Sequence, residues 1–484
     1  MGEGAGHGSA GVVVKRLSGM DATFLYIETP EMHMHVIGVL LLDTSNTTGG
    51  YSFEKVRQML EDRIHLMPSF RRRLVTVPFG LGHPVWIDDP AFDVENHLHR
   101  IGAPPPGDQR ALAEVVGDIA STQLRRDRPL WEMWVVEGLE GDQAAVVTKM
   151  HHATIDGASG ADLMVHLLDL TPEVQQKPKP EERFVGERRP SDFKLLRGAL
   201  VTQIANPVRV VGAAARATGN AAKMVRSMVR RSDGGGTAAP FLAPRTRFSG
   251  ALTPHRSVAF GQASLDDLKE IKNAFGAKVN DVVLAISTYA LRNYLIELDE
   301  LPEKPLVAAC PISVRKEGVD RDSANQVSNM LVPLPVQLAD AEEQLETIIA
   351  STKRSKELAN ALGAETLMDW AEFLAPRLFT SAMRLYSGSR LPDLHPPALN
   401  CIVSNVPGPP VPLYTAGARI QAIFPMGPLL PGAGINITIL SNMGNVDFGI
   451  IACRDTVPNV EKIADGLAEG IGVLLKAARA RNVP

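Results

Sequence analysis

Two stretches of alternating strand and helix periodicity, residues 15–170 and 251–484, flank a connector of different composition over 171–250. This division constrains the fold most. Short apolar runs alternating with 3.6-periodic segments build α/β layers, and 484 residues are too many for one typical core. In the first stretch His35–Leu42 is an apolar, β-branched run and Phe53–Leu66 has helical spacing. Ala144–Met150 reads as a strand and Gly157–Leu168 as a helix. In the second, Ser264 opens a helix with Asp267 as a capping partner, and Asn280–Leu298 is a long, mostly apolar helix. Leu306–Cys310, Met330–Val336, Leu399–Ser404, Ile435–Ser441 and Val446–Cys453 read as strands. The expected fold class is therefore α/β in two domains.

The connector begins with Pro172, Pro178, Pro180 and Pro190 and ends in Asp233-Gly234-Gly235-Gly236, both loop-like. Its middle has Val211, Ala214, Ala217, Ala221, Val225 and Met228 at helical spacing, and Pro207 is placed to start that helix. Arg209, Arg216, Lys223 and Arg230 stack on the opposite face. A basic amphipathic helix fits an anionic bilayer surface, and it fits equally a solvated helix packed on the two domains. No run of about 18 apolar residues is present, so no helix is expected to span a bilayer. The glycine-rich start, Met1–Gly11, lacks the basic and apolar regions of a signal peptide, and Gly6 replaces the Ser or Thr of a myristoylation signal. A net charge of −4 argues against a nucleic-acid partner held by bulk charge. Three widely spaced cysteines, Cys310, Cys401 and Cys453, suggest buried thiols in a reducing compartment.

The sharpest local signal is His151-His152-Ala153-Thr154-Ile155-Asp156-Gly157, directly after one strand and before a helix. A rigid strand end positions a side chain while the following loop leaves it accessible. A neutral imidazole, with an ordinary pKa of about 6.5, can accept the proton that an alcohol loses when it attacks a thioester. Asp156, four residues on, could hold the loop by pairing with a cation, and Gly157 gives it freedom to turn. Other readings stay open at this point. The pair could be core histidines, or metal ligands with Asp156 as a third, although adjacent residues rarely reach one ion and no His-Glu-x-x-His arrangement is present. His33-x-His35 and His97-x-His99 lack further ligands at useful spacing and read as structural.

The double histidine has company. Leu17-Ser18-Gly19-Met20-Asp21-Ala22-Thr23-Phe24, Pro129-Leu130-Trp131-Glu132, Lys278-Val279-Asn280-Asp281, Pro311-Ile312-Ser313-Val314-Arg315 and Ser404-Asn405-Val406-Pro407-Gly408-Pro409 follow in order. Together they resemble the bacterial wax ester synthase/diacylglycerol acyltransferase family nearly from end to end. Gly19 stands where Pro is usual, Phe248-Ser249-Gly250 lacks an Asn, and Ala324-Asn325 replaces Gly-Asn. The resemblance implies a fold similar to chloramphenicol acetyltransferases and peptide-synthetase condensation domains. That means two mixed-sheet subdomains, 15–170 and 251–484, joined by a helical crossover connector, with an active-site tunnel between them.

The same resemblance implies that His152 is the general base, His151 a structural neighbour, Asp156 an orienting group paired with Arg315, and Gly157 the turn. Asn280 would lie near the reacting carbonyl, with a helix N-cap as its alternative role. Trp131 would line the tunnel or fill the core. The implied reaction joins a long-chain acyl-CoA to diacylglycerol, or to a fatty alcohol as the alternative, without a covalent intermediate. Acyl-CoA is a substrate and no cofactor is implied. A non-catalytic lipid-binding protein and a transferase with a soluble acceptor are the more distant readings. The expected location is cytoplasmic, at the inner membrane face or on lipid bodies.

Overall fold

A computed structural model describes residues 15–154, 166–175, 177, 184–204, 243–313, 327–362 and 396–481. In the first half the strands are β1 (Lys15–Arg16), β2 (His35–Asp43), β3 (Arg72–Val75), β4 (Val85–Asp88), β5 (Leu98–Gly102), β6 (Trp131–Glu137) and β7 (Gln143–His151). In the second they are β8 (Arg256–Ser264), β9 (Leu306–Ser313), β10 (Val327–Leu334), β11 (Cys401–Val406), β12 (Tyr414–Thr415), β13 (Ala418–Met426), β14 (Ile435–Asn442) and β15 (Asn445–Cys453). The principal helices are α1 (Gly19–Ile27), α2 (Phe53–Arg63), α3 (Gln109–Ala120), α4 (Asp192–Ile204), α5 (Leu265–Ala274), α6 (Val279–Glu297), α7 (Ala341–Leu362) and α8 (Glu461–Arg481).

The strands form two six-stranded sheets, β12-β13-β2-β7-β6-β5 and β10-β9-β11-β14-β15-β8, and a three-stranded sheet β1-β4-β3. Both large sheets are mixed: β5 runs parallel to β6, and β11 runs parallel to β9 and β14, among otherwise antiparallel pairs. The strands read from sequence are present with ends shifted by a few residues, and Phe53–Leu66 ends as a turn of 3-10 helix over Ile64–Leu66. The small sheet was not legible, because β1 and β3 are only two and four residues long. The connector helix read over 207–231 and most of the helix read over Gly157–Leu168 lie outside the described residues.

β7 shows how the sequence makes the scaffold. It lies at the centre of its sheet and is buried from Ala144 to His151, as a strand covered on both faces must be. Its one cation, Lys149, is fully buried, and Nζ pairs with Glu132 Oε2 at 2.8 Å. The same ammonium donates to Ile119 O at 3.1 Å, Thr122 O at 3.2 Å and Thr122 Oγ1 at 3.0 Å. Every proton of the group is thus satisfied, which is what makes the burial tolerable. In the other sheet, α6 and α8 bury Leu284, Leu291, Leu467 and Leu474 against Ile437 and Ile450. Each such side chain contributes roughly 1.5–3 kcal/mol.

Chain order and sheet membership diverge at one place. β12 and β13, from the 251–484 stretch, complete the sheet of the first half, with Arg419 opposite Asp43 and Met426 opposite Ile37. Asp447 of β15 locks this crossing: it is buried, and its carboxylate accepts Ile423 N–H at 2.8 Å and Gln262 Nε2 at 2.7 Å. Burial raises its pKa, while these donors oppose the rise. Phe260 and Phe424 stack beside it with centroids 4.7 Å apart. At Gly449 the two sheets come so close that a Cβ would overlap the Pro425 carbonyl oxygen. We therefore expect Gly449→Ala to destabilise the fold by about 1–3 kcal/mol, read as a lower denaturant midpoint. An unchanged midpoint would show that the crossing is looser than its geometry.

Candidate active site

β7 delivers the double histidine. It ends at His151, and His152–Thr154 form one turn of 3-10 helix. Three bonds fix that turn: His151 N–H donates to Leu130 O at 3.0 Å, His152 N–H to Met34 O at 2.7 Å, and Thr154 Oγ1 to His151 O at 2.6 Å. Leu130, Ala153 and the α1 residues Ala22 and Leu25 share one small apolar cluster. Three segments distant in sequence, around 17–24, 129–132 and 151–154, are thereby brought together.

Within this setting the His152 ring stacks on Phe24, centroids 4.0 Å apart and planes 23° from parallel. Its Nδ1 is buried and finds no hydrogen-bond partner among the described residues. Desolvation pushes the imidazole down to about 4; its own backbone carbonyl opposes the shift and His151 adds to it. The side chain is therefore neutral at pH 7.

His151 is 1% exposed, and its Nδ1 accepts the Ala153 N–H at 3.0 Å. With Nδ1 accepting that bond, the ring carries a proton on Nε2, which faces Glu28 Oε2 at 3.6 Å. Glu28 follows α1 and is itself buried. Its Oε2 takes Arg126 Nη2 at 2.5 Å, and its Oε1 lies 3.5 Å from His35 Nε2. Burial alone would raise this carboxyl, but the His151 and Arg126 interactions outweigh it and hold Glu28 well below the usual carboxylate range. His35 stands directly opposite His151 in the β2–β7 register, and burial drives its pKa well below the ordinary value. The second half of the chain braces the same loop: Arg256 of β8 donates to Glu31 O at 2.6 Å.

The sequence-derived candidates therefore separate. His151 and His152 stand together on the turn after β7. Asp156, Gly157, Arg315 and any pairing between Asp156 and Arg315 lie outside the described residues. Trp131 is buried, its indole N–H donates to Phe70 O at 2.8 Å, and its ring stacks on His97 at 4.5 Å. Of its two readings, this geometry is that of a core residue. Asn280 lies in the first turn of α6 and is half-buried, but it is not the N-cap. Lys278 occupies that position, and its N–H is taken by Asp281 Oδ2 at 2.9 Å. Asp281 thus fills the capping role that the sequence offered to Asn280.

Glu28, Phe24 and His35 are the neighbours that sequence reading passed over. Phe24 closes the first of the ordered motifs, and His35 stands in a His-x-His pair that reads as structural; only the strand register brings it to His151. Glu28 carries no periodic signal. Among the described residues no group of three or more His, Cys, Asp or Glu is arranged to hold a metal ion. No helix among them is long and apolar enough to cross a membrane.

A neutral imidazole on a rigid turn can accept a proton from a bound nucleophile. Comparison with known proteins bears on which one. A profile for the wax ester synthase/diacylglycerol acyltransferase catalytic domain matches residues 17–283, and one for the WS/DGAT C-terminal domain matches 323–474. A Mycobacterium tuberculosis (strain CDC 1551 / Oshkosh) protein named "Putative diacyglycerol O-acyltransferase" is 41% identical, covering 96% of this chain and 91% of the relative. A Mycobacterium bovis protein named likewise is 34% identical over 94% of this chain and 98% of its own. Among solved structures, the wax ester synthase/diacylglycerol acyltransferase from Marinobacter aquaeolei VT8 aligns with a TM-score of 0.69 at 26% identity, covering 96% of this chain and 100% of that one. The first condensation domain of the calcium-dependent antibiotic synthetase aligns with a TM-score of 0.57 at 15% identity over 96% and 97%, a likeness of fold alone.

Proposed function

This chain belongs to the wax ester synthase/diacylglycerol acyltransferase family, and we propose that it esterifies diacylglycerol with a long-chain acyl-CoA, using His152 as general base. The observation that carries the proposal is the state of His152: neutral, stacked on Phe24, and held by its backbone on the turn after β7. The neutral ring takes the proton of the acceptor hydroxyl as that oxygen bonds to the thioester carbonyl carbon. The tetrahedral intermediate then expels the coenzyme A thiolate, which recovers the proton from the imidazolium. The products are the ester and free coenzyme A, so no group is left on the protein.

Glu28 and His151 would act at one remove, by holding the turn that presents His152. Asp156, Gly157 and Arg315 remain assigned to orienting that loop, and Asn280 to the neighbourhood of the carbonyl, on the strength of the motifs alone. Diacylglycerol is preferred as acceptor because the mycobacterial relatives carry that name; the Marinobacter relative, named for both activities, keeps a fatty alcohol as the second reading. We place the protein at a lipid surface, where such an acceptor resides.

Purified protein given labelled palmitoyl-CoA with diacylglycerol, hexadecanol and a water-soluble alcohol in parallel should make labelled triacylglycerol fastest. Wax ester as the main product would move the acceptor assignment, and failure with all three would remove the acyl-transfer reading. The pH profile tests the base separately. A base must be deprotonated to act, and a pKa near 4 leaves His152 essentially neutral above about pH 5. kcat/KM should therefore hold level down to about pH 5 and fall below it, rather than decline through the ordinary imidazole value of about 6.5. An acid limb centred near 6.5 would contradict the desolvated environment of the ring.

A further inference from the structure

The layer made by β1, β3 and β4 packs Leu74 and Trp86 against the apolar cluster that holds Leu130 and Ala153, and α4 covers its other side. One face of α4 buries Leu195 and Ala199 against Val75, Val77, Val85 and Ile87. The opposite face leaves Phe193 76% and Leu200 49% exposed, seven residues apart and so aligned along the helix, with Arg197 between them. Val185, just before the helix, is 81% exposed, and Phe79, in the turn joining β3 to β4, is 66% exposed. That turn touches α4: a Cβ on Gly82 would stand 3.1 Å from Ala199 Cβ. Leu81 of the same turn is also exposed, so five of the 12 exposed large apolar side chains among the described residues gather on one small layer.

Two further observations say what covers it. Phe79 is held at φ 59°, a left-handed conformation that a bulky side chain avoids unless its surroundings impose it. The fold accepts that strain and leaves an aromatic ring in solvent. The charge of the layer also opposes that of the chain. Residues 15–16, 71–89 and 184–200 carry nine Lys and Arg against four Asp and Glu, a net of +5 in a chain whose net is −4. Apolar side chains standing among cations match a surface with anionic headgroups over acyl chains.

We infer that this layer is the face by which the protein docks on an anionic lipid surface, with Phe79 and Phe193 entering the headgroup boundary and the surrounding cations meeting phosphates. The inference extends the functional reading by naming where lipid is met. It stands or falls independently of His152, because docking is measured on a His152→Ala background as well as on the wild type.

The full chain should sediment with vesicles of phosphatidylcholine and phosphatidylglycerol, bind pure phosphatidylcholine more weakly, and lose binding as salt is raised. Phe79→Ser with Phe193→Ser should weaken vesicle binding by about tenfold or more, and Lys194→Glu with Arg197→Glu should weaken it only on the anionic vesicles. Both doubles should keep the wild-type melting midpoint and the wild-type rate with a water-soluble acceptor. Should the serine double melt early, Phe79→Trp provides the reading instead: its emission should shift to the blue on vesicle addition, beyond any change from the four native tryptophans. Wild-type binding by a folded serine double would overturn the assignment, as would an unshifted emission from the vesicle-bound Phe79→Trp variant. So would wild type that ignores vesicles but forms a dimer lost in the serine double, an outcome that gives the face to a second copy.

Discussion

His152→Ala should lower kcat by about 10²–10⁴-fold, the usual contribution of a positioned general base, with little change in KM for acyl-CoA. The ring accepts no bond that the fold needs: the backbone N–H of residue 152 goes to Met34 O, and the side-chain Nδ1 has no partner among the described residues. Its removal takes away the stack on Phe24, whose loss costs at most about 1.5 kcal/mol beyond the area involved. The variant should therefore remain folded, which a thermal melt would check. Rates for diacylglycerol and for a fatty alcohol should fall in proportion, since both must surrender the same proton. A variant within about threefold of wild type would end the assignment of His152, because no side chain inserted by this change could replace a base.

Glu28→Gln should have the second largest effect, and on stability first. Glu28 is buried and faces Arg126, His35 and His151 at 2.5, 3.5 and 3.6 Å. Breaking a buried pair by neutralising one member costs about 3–5 kcal/mol; the half-exposed Arg126 can recover water, so we expect about 2–4 kcal/mol. The pH dependence has a definite sign. The carboxyl is held below its ordinary value of 4.5, so its contribution is complete above that pH and is lost as pH falls toward the folded-state value. The gap between wild type and variant should consequently narrow by about 1.4 kcal/mol between pH 7 and pH 3.5, as read from urea midpoints. A gap that stays constant with pH would mean that the side chain matters for its shape and not its charge. Activity should fall as well, through kcat rather than KM, because His151 anchors the turn that carries His152.

The two α/β blocks, the long helix now seen as α6, and the strand leading into the double histidine all follow from periodicity, since period 2 and period 3.6 are written locally. The N-cap alternative for Asn280 misses by two positions because a cap depends on where the chain turns, and Asp281 takes the capping bond through the Lys278 N–H. Glu28 lies far from His152 in sequence with no local pattern, and only tertiary packing of α1 on the 152–154 turn brings it in. The want of further ligands near His35 argues against a metal and leaves other uses open; only the register that sets His35 opposite His151 shows one. The small sheet escaped because very short strands carry almost no periodic signal.

The pairing of β13 with β2 also sets an order of events during synthesis. Asp43 meets Arg419, 376 positions later, so the sheet that bears the double histidine cannot close until nearly the whole chain has left the ribosome. Until then β2 is an open edge, with Val39 and Leu40 among its residues, of the kind that recruits strands from other chains. Loop closure over such a span is slow, and slow closure lengthens that exposure. A nascent chain of this protein should therefore lean on chaperones until β13 arrives.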